Sequence, residues 1–72
     1  MNIDVTGWEP TPEELMLPVI NDRWRQICMD RAAGLTLQAT GAKHNISRER
    51  VRQIQVHAYR KLRGALVSSD KD

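Results

Sequence analysis

Ser47–Arg63 reads SRERVRQIQVHAYRKLR, and this stretch decides the fold. At 100° per residue, Val51, Ile54, Ala58 and Leu62 fall within roughly 80° of one another, a seam that suits a core. Glu49, Arg52, Gln53, Val56 and Arg60 fall on the opposite side. Ser47 has the chemistry of an N-cap, and Glu49 in the first turn complements the positive end of the helix dipole. Arg and Gln carry planar groups that pair bidentately with guanine and adenine edges, and Glu accepts from cytosine N4. A helix with Arg48, Glu49, Arg52 and Gln53 gathered near its start is therefore built to read a major groove.

The residues just before it point the same way. Leu35–Ile46, LTLQATGAKHNI, predicts a short helix and a tight turn. Thr36 is its N-cap candidate. Gly41 stands where two steeply crossing helices need a small residue, and Asn45 tolerates the left-handed conformation that the turn requires. Asn45 lies four residues after Gly41 and Val51 ten after it, the spacing of a helix-turn-helix.

With these residues in hand, Thr36–Arg63 resembles region 4 of bacterial primary sigma factors, whose helix-turn-helix reads the promoter −35 element. The shared residues are Thr36, Leu37, Gly41, the run Ser47–Ile54, Ala58 and Arg60–Arg63. The run SRERVRQI carries most of the specificity. The resemblance implies base reading by Arg48, Glu49, Arg52 and Gln53. It places Thr36, Leu37 and Ser47 near the phosphate backbone, where Lys43 and Arg60 are read as further contacts. Thr40 and His44 depart from the pattern, since both positions are usually apolar. Gln55 and His57 replace what is often an acid and a lysine, so contacts with transcription activators are not carried over. A complete sigma factor needs further domains for core polymerase and the −10 element, which 72 residues do not provide.

Charge is strongly segregated. Residues 1–22 hold five acids and no Lys or Arg; residues 23–72 hold all eleven Lys and Arg and four acids, so a formal net charge of +2 conceals −5 beside +7. A basic body fits an anionic polymer, here double-stranded DNA. Cys28 is the single cysteine, so no intramolecular disulfide and no cysteine-based metal site is available. No apolar run reaches transmembrane length and the acidic start is unlike a signal peptide, so the expected place is the cytoplasm, at the nucleoid. Nothing in the chain suggests catalytic residues, a cofactor or a metal, and the expectation is a binding protein, not an enzyme.

The remaining segments complete an all-α expectation: a small helical bundle of four to five helices containing the helix-turn-helix. Residues 1–10, without helical period, read as a flexible acidic arm. Residues 11–66 form the DNA-binding domain, and residues 67–72 a disordered tail. Within the domain, Thr11, Pro12 and Glu14 have the chemistry of a capping box that opens a short helix. Pro18 interrupts it or opens the next one. From about Val19 to Ala33 a scaffold helix is expected, with Ile20, Trp24 and Ile27 on one face and Gly34 as its stop. The function expected is a sequence-specific transcription regulator of the kind a phage or mobile element encodes. The alternative is a region 4 mimic that binds RNA polymerase or an anti-sigma partner and reads little DNA. A module of this size buries limited DNA surface, so a homodimer is also expected.

Overall fold

The computed structural model describes residues 5–68, apart from the side chain of Ser68. Three α-helices carry the fold: α1, Asp22–Ala32; α2, Leu37–His44; and α3, Arg48–Ser68. The expected four to five helices reduce to three among the described residues, because two N-terminal expectations shrink. The Thr11 capping box forms: the Glu14 N–H donates to Thr11 Oγ1 at 3.2 Å, and the Thr11 N–H donates to Glu14 Oε1 at 2.8 Å. It opens only a 3-10 turn, Glu14–Met16, and not an α-helix. The scaffold helix starts at Asp22 instead of Val19, where Asn21 caps it by accepting from the Trp24 N–H at 2.8 Å.

Arg25 explains the late start. Its Nε donates to Leu15 O at 2.8 Å, and one terminal nitrogen donates to Leu17 O and Ile20 O at 2.9 and 3.1 Å. The other pairs with Asp22 at 2.6 Å. A planar fork of donors thus satisfies three carbonyls of the segment before α1, in and after the 3-10 turn. This holds Leu15 and Ile20 against the core.

Two apolar clusters meet along α3. Leu15, Ile20, Cys28, Ala58 and Leu62 form one, flanked by Trp8, Leu17, Trp24 and Tyr59. Ile27, Val51 and Ile54 form the other, flanked by Trp24, Leu37 and Ile46. The four seam residues of α3 are all at most 2% exposed, so the helix phase is as the sequence predicts. Burial pushes the Cys28 thiol up to about 11, which makes it a small core residue in its protonated form.

Gly34, at φ 106°, ends α1. The Leu35 N–H donates to Asp30 O and the Gly34 N–H to Arg31 O, the paired bonds of a Schellman cap. The departures Thr40 and His44 are both accommodated by polar partners. Thr40 is fully buried and donates its hydroxyl to Thr36 O at 2.8 Å. His44 Nε2 lies 2.7 Å from Oδ2 of Asp30, a buried carboxylate on α1. Burial alone would push the Asp30 carboxyl up. Hydrogen bonds from His44, Lys43 and Gln26 together outweigh it and hold the pKa below the ordinary carboxylate value.

The ends of the chain also differ from expectation. In the described part of the arm, Trp8 packs against the edge of the first core cluster and against Tyr59 of α3. Val67 and Ser68, expected in a tail, continue α3; residues 69–72 lie outside the described residues. Among the described residues no helix is long and apolar enough to cross a membrane.

Candidate nucleic-acid interface

The geometry between α2 and α3 is fixed by four residues. Thr36 caps α2, its hydroxyl accepting from the Ala39 N–H at 3.0 Å. Asn45, at φ 60° and ψ 44°, closes α2 in the left-handed region, with the Ile46 N–H donating to Gly41 O at 2.8 Å. Gly41 lies so close to the turn that an ideal Cβ there would stand 2.5 Å from Ile46 O. Three residues after α2 ends, Ser47 opens α3, its Oγ accepting from the Arg50 N–H at 3.1 Å. Each of these features is local, so the crossing of the two helices is written into a short stretch of sequence.

This turn aims the first two turns of α3 outward. Arg48, Glu49, Arg52 and Gln53 are all exposed, and they fan over roughly 140° of helix surface. Glu49 and Arg52 are joined by an ion pair one turn apart, with Arg52 Nε donating to Glu49 Oε2 at 3.1 Å. The hydrogen bond from Arg52 holds the Glu49 carboxyl below its ordinary value, and Glu49 in turn raises Arg52. Both groups are therefore charged at neutral pH. The carboxylate holds a guanidinium fork at the helix surface, which reduces the rotamer freedom Arg52 would lose on meeting a base.

The residues assigned to the backbone are placed differently from one another. Thr36 and Ser47 are exposed, with their hydroxyls engaged as caps. Leu37 is half-buried in the second core cluster. Lys43 donates to Asp30 Oδ1 at 3.0 Å, although its side chain remains 53% exposed. Arg60 is exposed and sits beyond the first two turns of α3, beside the N-terminal segment. Two residues not singled out by sequence join them. Arg31 and Gln38 line a surface depression at the start of α2 with Thr36, Leu37, Arg48 and Glu49. Gln38 also borders the α2–α3 cleft beside Arg48. Its exposed position one residue into a capped helix is the signal that could have found it.

The charge of α3 is lopsided: Arg48, Arg50, Arg52, Arg60, Lys61 and Arg63 are all exposed, and Glu49 is the one acid within the helix. His57, also exposed, stacks on Trp24 with ring centroids 6.3 Å apart. Trp24 is half-buried between the two core clusters, in keeping with a packing role.

A capped helix, a left-handed Asn turn over Gly41 and an outward polar helix start are together the geometry of a helix-turn-helix. The family model for sigma-70, region 4 matches residues 17–64. The chain belongs to the sigma-70 region 4 family. Its match reaches beyond the motif to Leu17, so it takes in α1 and, of the carbonyls that Arg25 binds, those of Leu17 and Ile20. No individual curated protein and no solved structure matches the chain. Membership makes the helix-turn-helix a DNA-binding region, and region 4 domains bind DNA and core RNA polymerase.

Proposed function

We propose that this region 4 protein is a sequence-specific transcription regulator that places the start of α3 in the major groove. The observation that carries the reading is the outward constellation Arg48, Glu49, Arg52 and Gln53, set on a helix whose direction is locked by Gly41 and Asn45. In this reading Arg52 and Gln53 present bidentate groups to purine edges, Arg48 and Glu49 complete the contact, and Glu49 orients Arg52. Thr36, Leu37, Ser47, Lys43 and Arg60 face the phosphates, with Lys43 leaving Asp30 to do so. The protein acts by binding and not by catalysis.

The test is selection of bound duplexes from a random pool at a stated salt concentration, followed by variants on the selected site. Arg52→Ala or Gln53→Ala is expected to cost roughly 1–3 kcal/mol on that site and little on random DNA. Equal losses on both kinds of DNA would reduce these residues to phosphate contacts. A single enriched half-site identifies a monomer, and a spaced inverted repeat identifies two copies.

A second reading, a polymerase-directed or anti-sigma-directed mimic, draws support from a different surface. Met16 is 61% and Met29 38% exposed, and Met29 borders an apolar hollow with Pro12, Leu15, Ala32 and Ala33. An exposed methionine beside a hollow, with a second exposed methionine on the chain, suits a protein partner. The two readings separate on Arg52→Ala, which a mimic tolerates without loss of its partner.

A further inference from the structure

The N-terminal segment is seated on the same helix that is assigned to DNA. Gly7, at φ 77°, allows a turn in which the Trp8 N–H donates to Val5 O at 3.0 Å. That turn presents the indole to α3. The Trp8 ring meets Tyr59 edge-on, with centroids 5.8 Å apart and planes at 85°. The Arg63 guanidinium lies 5.6 Å from the centre of the same ring. Val5–Glu9 thereby form one wall of an open groove, and Arg52, Gln55, Val56, Tyr59 and Arg60 form the other.

Two residues of that second wall, Arg52 and Arg60, belong to the surface proposed to meet DNA. Glu9 is exposed at the facing rim. The Tyr59 phenol, pushed up mainly by burial, is raised further by the Glu9 carboxylate, which places that charge in the electrostatic reach of α3. A duplex laid on the outward face of α3 brings phosphates to the Arg60 side of this groove. There it meets a carboxylate of like charge and a folded turn occupying the space.

We propose that Val5–Glu9 is a latched flap that competes with DNA for the outer face of α3. Trp8 latches it on Tyr59 and Arg63, and Glu9 biases it against phosphates. The inference rests on the proposed DNA-binding role of α3. The latch is small: an edge-on ring pair and a surface cation–π contact, with the half-buried indole resting against the edge of the first core cluster. DNA can therefore displace it, and displacement releases Arg63 as a further cation for the backbone.

The test uses the full chain and a mixed-sequence duplex of about 20 base pairs, long enough for two turns of DNA. Trp8→Ala is expected to tighten binding at least roughly tenfold, the combined worth of the two ring contacts alone. Glu9→Gln is expected to tighten it about two- to threefold at low salt and to converge on the wild type at high salt, where the charge is screened. In the 15N-labelled wild-type chain, the Trp8 indole N–H signal is expected to move towards the position of an exposed indole as DNA is added. Should Trp8→Ala fail to fold, Glu9→Gln and the indole signal decide. Affinities equal to wild type for both variants, or an indole signal unmoved at saturation, overturn the flap. So does weaker binding by Trp8→Ala at an unchanged melting temperature, which would make Trp8 a DNA contact. Absence of duplex binding by the wild type and both variants at low salt overturns the DNA reading itself, and the flap with it.

Discussion

Gly41→Ala tests whether the close approach of α2 to the turn is real, because the outcome has a sign and not only a size. In an unconstrained helix interior, replacing Gly by Ala stabilises by about 0.5–1 kcal/mol. At Gly41 the new Cβ would stand 2.5 Å from Ile46 O, 3.3 Å from the Ser47 carbonyl carbon and 3.4 Å from the Arg48 nitrogen. A relaxed carbon–oxygen contact is about 3.3–3.6 Å, so the turn must retreat by nearly 1 Å. All three atoms are backbone, and Ile46 is tied to Gly41 by its own hydrogen bond at 2.8 Å, so no side chain can swing aside. Overpacking of this kind costs about 1–3 kcal/mol, and relief through backbone belongs at the upper end. Subtracting the propensity gain leaves a net loss of about 1–2 kcal/mol. For a domain of this size that is a fall in Tm of roughly 4–16 °C, read by circular dichroism. The displaced atoms lead directly into α3, so DNA affinity should also fall at temperatures where the variant is folded. A Tm that rises by several degrees, with DNA binding unchanged, would refute the close-approach argument.

Three further outcomes are expected. Arg25→Ala should lower stability by on the order of 1–3 kcal/mol in urea unfolding, since it strips donors from the carbonyls of Leu15, Leu17 and Ile20. Arg25→Lys should recover less than half, and full recovery would show that charge matters there and the planar fork does not. Asp30→Asn should cost on the order of 1–3 kcal/mol at pH 7, because Lys43 can turn to water while half-buried His44 loses its partner. The Asp30 pKa is lowered on folding, so its contribution is present above the unfolded carboxyl value, about 3.9, and is lost as pH falls through the folded one. The variant's stability should accordingly flatten below about pH 4, and an acid slope equal to wild type would contradict the assignment. Ile54→Ala, at a residue 2% exposed, should cost about 2–5 kcal/mol in a melt without DNA, and an unchanged Tm would mean the phase of α3 is misdrawn.

What could be read from the sequence separates cleanly by distance along the chain. The start of α3, its seam, the Thr36 and Ser47 caps, the Asn45 turn and the need for Gly at 41 were all legible. Each is encoded within one or two helical turns, and apolar burial is non-directional, so a periodic stripe suffices to say which face turns inward. The start of α1 was not legible. It depends on Arg25 binding carbonyls five, eight and ten residues earlier, and no periodicity records that. Thr40 bonds to Thr36 O only four residues back; His44, by contrast, read as a departure from a family pattern because its partner, Asp30, lies on another helix. Lys43 read as a phosphate contact for the same reason, its pairing with Asp30 being invisible along the chain. No pattern in residues 1–10 marks the seat of Trp8 on Tyr59 and Arg63.

The division has a physical cause. A hydrogen bond needs a named donor at a set distance and angle, so a polar contact between helices depends on where two elements meet in space. The outward face of α3 escapes this limit, because its residues need no partner within the chain to be placed. Helix phase alone puts Arg48, Glu49, Arg52 and Gln53 outside. An interface whose partner is another molecule can thus be easier to read from sequence than the polar interior that supports it.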